Sequence, residues 1–154
     1  MIRQANLEDI DKLSTLRVEH QKAEGKEEYN CDDIILQNNA KLFLDRHLNK
    51  DYFCFIKEIN SDIIATCAVQ IIDYLPLYTN LSGKIGYISN VYTKEEFRNN
   101  GIQKELIKEC IKFLKSKNIS KAELGTSNPI AINLYKKFGF YQNKNAMKSN
   151  LDLL

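Results

Sequence analysis

At Gly101 the spacing of apolar residues changes period, and this change limits the fold more than any other feature of the chain. Before it, Lys84–Thr93 is rich in β-branched and aromatic residues, reads as a strand, and runs out into the polar residues 94–100. After it, Ile102, Leu106, Ile107, Cys110, Ile111 and Leu114 recur at helical spacing with Lys and Glu opposite, so an amphipathic helix opens at the glycine. A helix N-terminus presents unpaired N–H groups and the positive end of the helix dipole, and glycine tolerates positive φ and the close approach of an anion. Arg98 and Lys104 flank the turn with positive charge. The turn therefore suits a phosphate, although a plain capped helix start satisfies the same residues.

The rest of the pattern is α+β, and no Pro/Gly/Ser-rich linker or repeat divides residues 1–154, which read as one domain. Residues 1–5 suggest a short strand, Asn6 an N-cap with Glu8 and Asp9 in the first turn, and Ile10, Leu13, Leu16 and Arg17 a helix continuing toward His20. Residues 22–33 read as a polar loop carrying Glu24, Glu27, Glu28, Asp32 and Asp33. Ile34, Ile35, Asn38, Leu42 and Leu48 suggest a second, rougher helix. Tyr52–Ile59 and residues 63–74 are strand-like on either side of Asn60-Ser61-Asp62, a hairpin signal, and residues 75–83 form a loop. Residues 122–125 read as a short strand and 128–138 as a helix closed by Gly139, with at most two more strands in 140–151.

Composition removes several functions. The chain has 22 Lys+Arg against 20 Asp+Glu, a net charge of +2 with no long basic block, so no nucleic-acid partner is expected. No apolar run approaches the ~20 residues of a membrane span, and charged residues interrupt any secretory-type start. The four cysteines, Cys31, Cys54, Cys67 and Cys110, lack Cys-x-x-Cys spacing, and His20 and His47 lie far from them in sequence. They read as buried or half-buried free thiols in a cytoplasmic protein, with no metal site. A dinucleotide or P-loop reading fails because the turn has one glycine and no Gly-Lys-Ser/Thr.

Two motifs carry a resemblance. The turn reads Arg98-x-x-Gly101-x-Gln103, and downstream stands Asn128-x-x-Ala131-x-x-Leu134-Tyr135-x-x-x-Gly139-Phe140. At this separation, residues 87–140 resemble the cofactor-binding half of the GNAT superfamily of N-acetyltransferases. Its turn pattern is Arg/Gln-x-x-Gly-x-Gly/Ala, and its second motif matches here at every position. The opening Ile2-Arg3-Gln4-Ala5 and Asp9-Ile10 also resemble the family's start. The resemblance implies a GNAT-type fold, with a mixed sheet of six or seven strands splayed at its centre and helices on both faces. It implies acetyl-CoA as cosubstrate, no metal, and the primary amine of a small molecule or peptide as acceptor. Dimers are frequent in the family, so a homodimer is among the implied assemblies.

By the same resemblance, backbone groups of Val91, Tyr92 and Thr93 would line the pantetheine arm and polarise the thioester. Arg98, Asn99, Asn100, Gly101, Ile102, Gln103 and Lys104 would hold the pyrophosphate, Asn128 would bond the pantetheine, and Tyr135 would protonate the departing thiolate. Helical spacing alone, with Ala131, Leu134 and Phe138 on one stripe, makes Tyr135 a core residue instead. Gln103 departs from the family's Gly/Ala. No carboxylate lies on Lys84–Thr93, so no general base is assigned; Ser89 and Asn90 acting through water, Asp73 and Glu95 are the candidates. The acidic residues between 24 and 33 would favour a cationic amine if they line the acceptor site, and are a solvated loop otherwise. The missing carboxylate and Gln103 leave open a non-catalytic acetyl-CoA-binding or regulatory module.

Overall fold

The computed structural model describes residues 1–25 and 32–143. Arg3, on strand β1 (Ile2–Gln4), grips both oxygens of Asp9 at 2.7 and 2.8 Å and donates through Nε to Glu58 at 2.9 Å. Asp9 also accepts from the Asn6 backbone N–H at 2.8 Å while the Asn6 side chain accepts from the Glu8 amide at 2.9 Å. The expected N-cap is thus a reciprocal capping box. It starts a 3-10 turn, Leu7–Asp9, that leads into α1 (Ile10–Ala23). Asp32 caps α2 (Asp33–His47) by accepting from the Ile34 amide at 2.7 Å.

The strand-like runs pair as their composition predicts. β2 (Tyr52–Ile59) lies antiparallel to β3 (Asp62–Asp73), with Ile59 opposite Asp62. Asn60 and Ser61 have φ of 49° and 65°, the backbone that a two-residue hairpin of the right twist requires. β4 (Lys84–Thr93) adds antiparallel to β3. After α3 (Ile102–Ser116) the chain returns as β5 (Ala122–Glu123), parallel to β4, giving a mixed sheet of order β1-β2-β3-β4-β5.

Alternation along β2 puts helices on both faces. Tyr52, Cys54 and Ile56 join Leu13, Leu16 and Leu44 in a core under α1 and α2. Phe53 and Phe55 point the other way, with ring centroids 4.4 and 5.7 Å from Phe113 of α3. On that face the Cys67 and Cys110 sulfurs are 3.4 Å apart. These two and Cys54 are free and buried, as expected of small hydrophobes, while Cys31 lies outside the described residues. Gly86 gives α3 its seat, because a Cβ there would come within 2.4 Å of a Leu114 methyl.

The sheet has five strands among the described residues, not six or seven. Residues 140–143 carry no strand, and the final strands expected up to residue 151 fall on 144–154, outside the described residues. Residues 1–124 form one compact unit and a second begins at Gly125. Within the second, α4 (Pro129–Lys136) is capped by Asn128, whose side-chain oxygen accepts from the Ile130 amide at 2.9 Å. Gly139, at φ 87°, follows the helix in the left-handed conformation that favours glycine.

Candidate functional site

The ladder between β3 and β4 slips at one place. Thr66 pairs with Tyr92 but Ala68 pairs with Ser89, so Asn90 and Val91 together face Cys67. This is a β-bulge, and Asn90 takes φ 50° to make it. The Thr66 hydroxyl donates to the Asn90 carbonyl at 2.8 Å and fixes the distortion. β5 ends at its pair with Tyr87 while β4 continues to Thr93, so among the described residues the outer edge of β4 beyond Tyr87 has no ladder partner in the sheet.

From the other face, the first turn of α3 reaches the same place. Gln103 Nε2 donates to the Tyr92 carbonyl at 2.7 Å, to Thr93 Oγ1 at 2.9 Å and to the Thr66 carbonyl at 3.1 Å. The long side chain is therefore not projecting over the turn but is folded against the bulged strands. Its Oε1 is buried with no hydrogen-bond partner among the described residues.

The turn itself is open. Asn99 and Gly101 have φ of 64° and 73°, and the Asn100 amide donates to the Phe97 and Arg98 carbonyls at 3.2 and 3.1 Å. Arg98 Nε donates to the Thr93 carbonyl at 3.1 Å, which anchors its guanidinium at the end of β4. Among the described residues no side chain caps α3, and nothing lies within 4 Å of the Cβ position of Gly101. Ile102 is buried, holding the helix start to the core, while Lys104 is exposed. Free amides, an uncrowded glycine and two cations fit a diphosphate.

On the opposite face, a cavity of about 400 Å³ lies between α1, α2 and the sheet. Its floor is set by sheet register: Tyr52, Gln70 and Tyr87 form one cross-strand row, and Cys54 and Ser89 belong to the next. Burial pushes the Tyr52 phenol far above its ordinary value, outweighing the opposite influence of Ser89 and Asn90. No Asp or Glu is among the described lining residues. Of the candidate bases, Asp73 is ion-paired with Lys84 at 2.5 Å, at the far end of β4 from the bulge. Glu95 starts the exposed 3-10 turn after β4, and Ser89 and Asn90 line the cavity.

Sequence spacing places Arg17 and His20 simply on α1, yet in the structure both lie at the bulge. His20 is buried and stacks on Tyr92, with centroids 4.9 Å apart. Its Nδ1 is 3.3 Å from Asn90 Oδ1 and 3.3 Å from an Arg17 nitrogen, and its Nε2 is 3.4 Å from Glu24. Burial lowers the pKa of His20, outweighing the nearby Glu24 carboxylate. The signal available in the sequence was a histidine on the Leu13–Leu16 stripe, since a buried imidazole must find polar partners.

Tyr135 and Asn128 belong to the second unit. Tyr135 is 6% exposed and its ring meets Phe140 edge-on at 5.8 Å. The Asn128 carbonyl oxygen is committed to capping α4, so only its amide nitrogen remains as a donor.

The description "Acetyltransferase (GNAT) family" fits residues 14–140 of this chain. The chain belongs to the GNAT family of acetyltransferases. It is similar to a predicted acetyltransferase of Clostridium acetobutylicum crystallised with acetyl-CoA, at 31% identity over 100% of this chain and 97% of that one, with a TM-score of 0.85. A GCN5-related N-acetyltransferase from Ralstonia eutropha JMP134 shares the fold at 21% identity, 97% coverage of both chains and a TM-score of 0.77. So does a Trypanosoma brucei acetyltransferase at 20% identity, 98% and 99% coverage and a TM-score of 0.69. Among the described residues of this GNAT protein no helix is long and apolar enough to cross a membrane.

Proposed function

We propose that this protein transfers the acetyl group of acetyl-CoA to a primary amine of a small molecule or peptide, with both substrates bound together. The observation that supports this most is the meeting of three features at Asn90–Val91: a bulged strand with an open edge, an uncapped helix start beside it, and a cavity under it. The C. acetobutylicum relative was crystallised with acetyl-CoA, which supports the same cosubstrate here.

On this reading the amides of residues 101–104, with Arg98 and Lys104, hold the pyrophosphate. The edge of β4 at Val91, Tyr92 and Thr93 takes the pantetheine arm, and the Asn128 amide nitrogen adds a bond to it. Backbone donors at the bulge then stand where charge develops on the thioester oxygen. The amine nitrogen, having lost a proton, attacks the thioester carbon; the C–N bond forms, the C–S bond breaks, and the thiolate takes a proton. Tyr135 is the residue proposed to supply it, since a phenol with a pKa of ~10 holds its proton at neutral pH. The family match runs from residue 14 to 140 and so includes both units, which act as one acetyltransferase domain on this reading. Cytoplasmic residence suits the free thiols of Cys54, Cys67 and Cys110.

Calorimetric titration with acetyl-CoA, followed by an assay of CoA release over a panel of amines, tests the proposal. Binding with amine-dependent release is expected, and failure to bind at millimolar acetyl-CoA would end it. The alternative is a non-catalytic acetyl-CoA-binding module, favoured by Gln103 standing where the family pattern has Gly or Ala. It predicts binding without release on any amine.

A further inference from the structure

The charge among the described residues of the cavity does not favour a polycationic acceptor. Of the two readings of the acidic stretch after α1, a lure for a cationic amine or a solvated loop, the described carboxylates fit the second, because they have local partners. Glu24 accepts from Gln21 at 2.9 Å and faces His20, Asp32 caps α2, and Asp33 is ion-paired with Lys22. None of them lines the cavity. Among the described residues the charged one that does is Arg17, half-buried on α1, and the remaining described polar lining is neutral.

The position of Arg17 is more informative than its sign. Arg17 and Asn90 are each 3.3 Å from the same ring nitrogen of His20, so the guanidinium lies within two hydrogen-bond lengths of the bulge. An anionic group held there is a near neighbour of any nitrogen presented to the bulge. The opposite side of the cavity is apolar: Leu13 and Leu44 from the core, then Leu36, Ala40 and Phe43 along α2. The space, about 400 Å³, is at the small end of ligand sites and is too small for a folded partner.

We propose that the acceptor is a free α-amino acid with a large apolar or aromatic side chain. Its carboxylate pairs with Arg17, its amine points to the bulge, and its side chain lies against Leu36, Ala40 and Phe43. Only a molecule with amine and carboxylate on one carbon satisfies a cation so near the reacting end, and the apolar wall selects the side chain. A polyamine or aminoglycoside would set positive charge against Arg17, with no carboxylate among the described lining residues to offset it. The proposal rests on the acetyltransferase reading and specifies its acceptor.

The test compares steady-state CoA release for leucine, phenylalanine and methionine with their amides, their decarboxylated amines and spermidine. The free amino acids should exceed the amides and decarboxylated amines by about 100-fold in kcat/KM, the value of a charge-assisted pair. In Arg17→Gln that preference should collapse through a higher KM for the amino acid, while acetyl-CoA affinity stays unchanged. Arg17→Lys should retain part of the preference, and serves if the glutamine variant folds poorly. Equal or faster turnover of decarboxylated amines or spermidine, or a preference surviving Arg17→Gln, overturns the proposal. So does acetyl-CoA binding with no turnover of any amino acid. Loss of acetyl-CoA binding by the wild-type protein is the separate outcome that removes the acetyltransferase reading itself.

Discussion

Gln103, in the first turn of α3, donates its side-chain amide to the carbonyl of Tyr92 at 2.7 Å and thereby ties the helix start to the bulged strand. The same nitrogen reaches the carbonyl of Thr66 on β3 at 3.1 Å, so it spans the last regular pair, Thr66 and Tyr92, beside the bulge. Where the family pattern has Gly or Ala, this chain has a side chain long enough to act as a strut.

Gln103→Ala removes the bonds to both carbonyls and to Thr93 Oγ1 and should destabilise the protein by about 1–2 kcal/mol in urea denaturation. Gln103→Glu should be worse near neutral pH, because it turns carboxylate oxygens toward two carbonyls, and should recover as the solution is acidified and the carboxyl protonates. Equal stability of wild type and both variants would show that the strut carries no load.

At Gly101 backbone conformation and cofactor approach can be separated. The Cβ position is empty but φ is 73°, so substitution strains the chain without a clash. Gly101→Val should cost roughly 1–2 kcal/mol of stability, whereas Gly101→Asn, which tolerates this conformation, should cost less. Both put a side chain into the space proposed for the pyrophosphate, so acetyl-CoA affinity measured by calorimetry should fall in both. Undiminished affinity in Gly101→Asn would place the phosphates elsewhere.

Tyr135→Phe keeps the ring that packs on Phe140 and removes only the hydroxyl. Turnover should fall by ~10²–10⁴ with acetyl-CoA affinity unchanged, the loss expected for a general acid. If the variant melts early yet retains its specific activity, Tyr135 is a core residue and the proton comes from another group.

His20 should give the fold a pH dependence in a distinct window. Burial, with Arg17 adding to it, lowers its pKa, while Glu24 and Asn90 act the other way. As pH falls below ~6.5 the unfolded imidazole takes a proton that the folded one refuses, so stability drops from there down to the folded pKa. His20→Gln should flatten the unfolding free energy between pH ~7 and ~5.5, measured in denaturant. Asp9, whose carboxyl Arg3 holds below the ordinary 3.8, acts only at more acid pH and does not confuse the result. An unchanged slope in the variant would mean that the buried ring titrates normally.

Local chemistry was legible wherever one residue type dictates one backbone. Asn60-Ser61 announced its turn, Asn6 its capping box and Gly101 its helix start, and the strand bounds Tyr52–Ile59 and Lys84–Thr93 are those observed. The acceptor side was not legible in the same way. Arg17 and His20 are separated from Asn90 by about half the chain, and nothing in their spacing says that α1 crosses the bulge. The acidic stretch left two readings open for a related reason, because the partners of Glu24, Asp32 and Asp33 appear only once helices form.

The sequence by itself determined the strand–glycine–helix unit and the family motifs, since those rest on steric limits at single residues and on apolar periodicity, both local. Tertiary structure alone decided that Gln103 braces the bulge and that Arg17 sets the charge of the cavity. Those outcomes depend on the register of β3 against β4 and on the packing of two helices on opposite faces, which no short stretch of chain encodes.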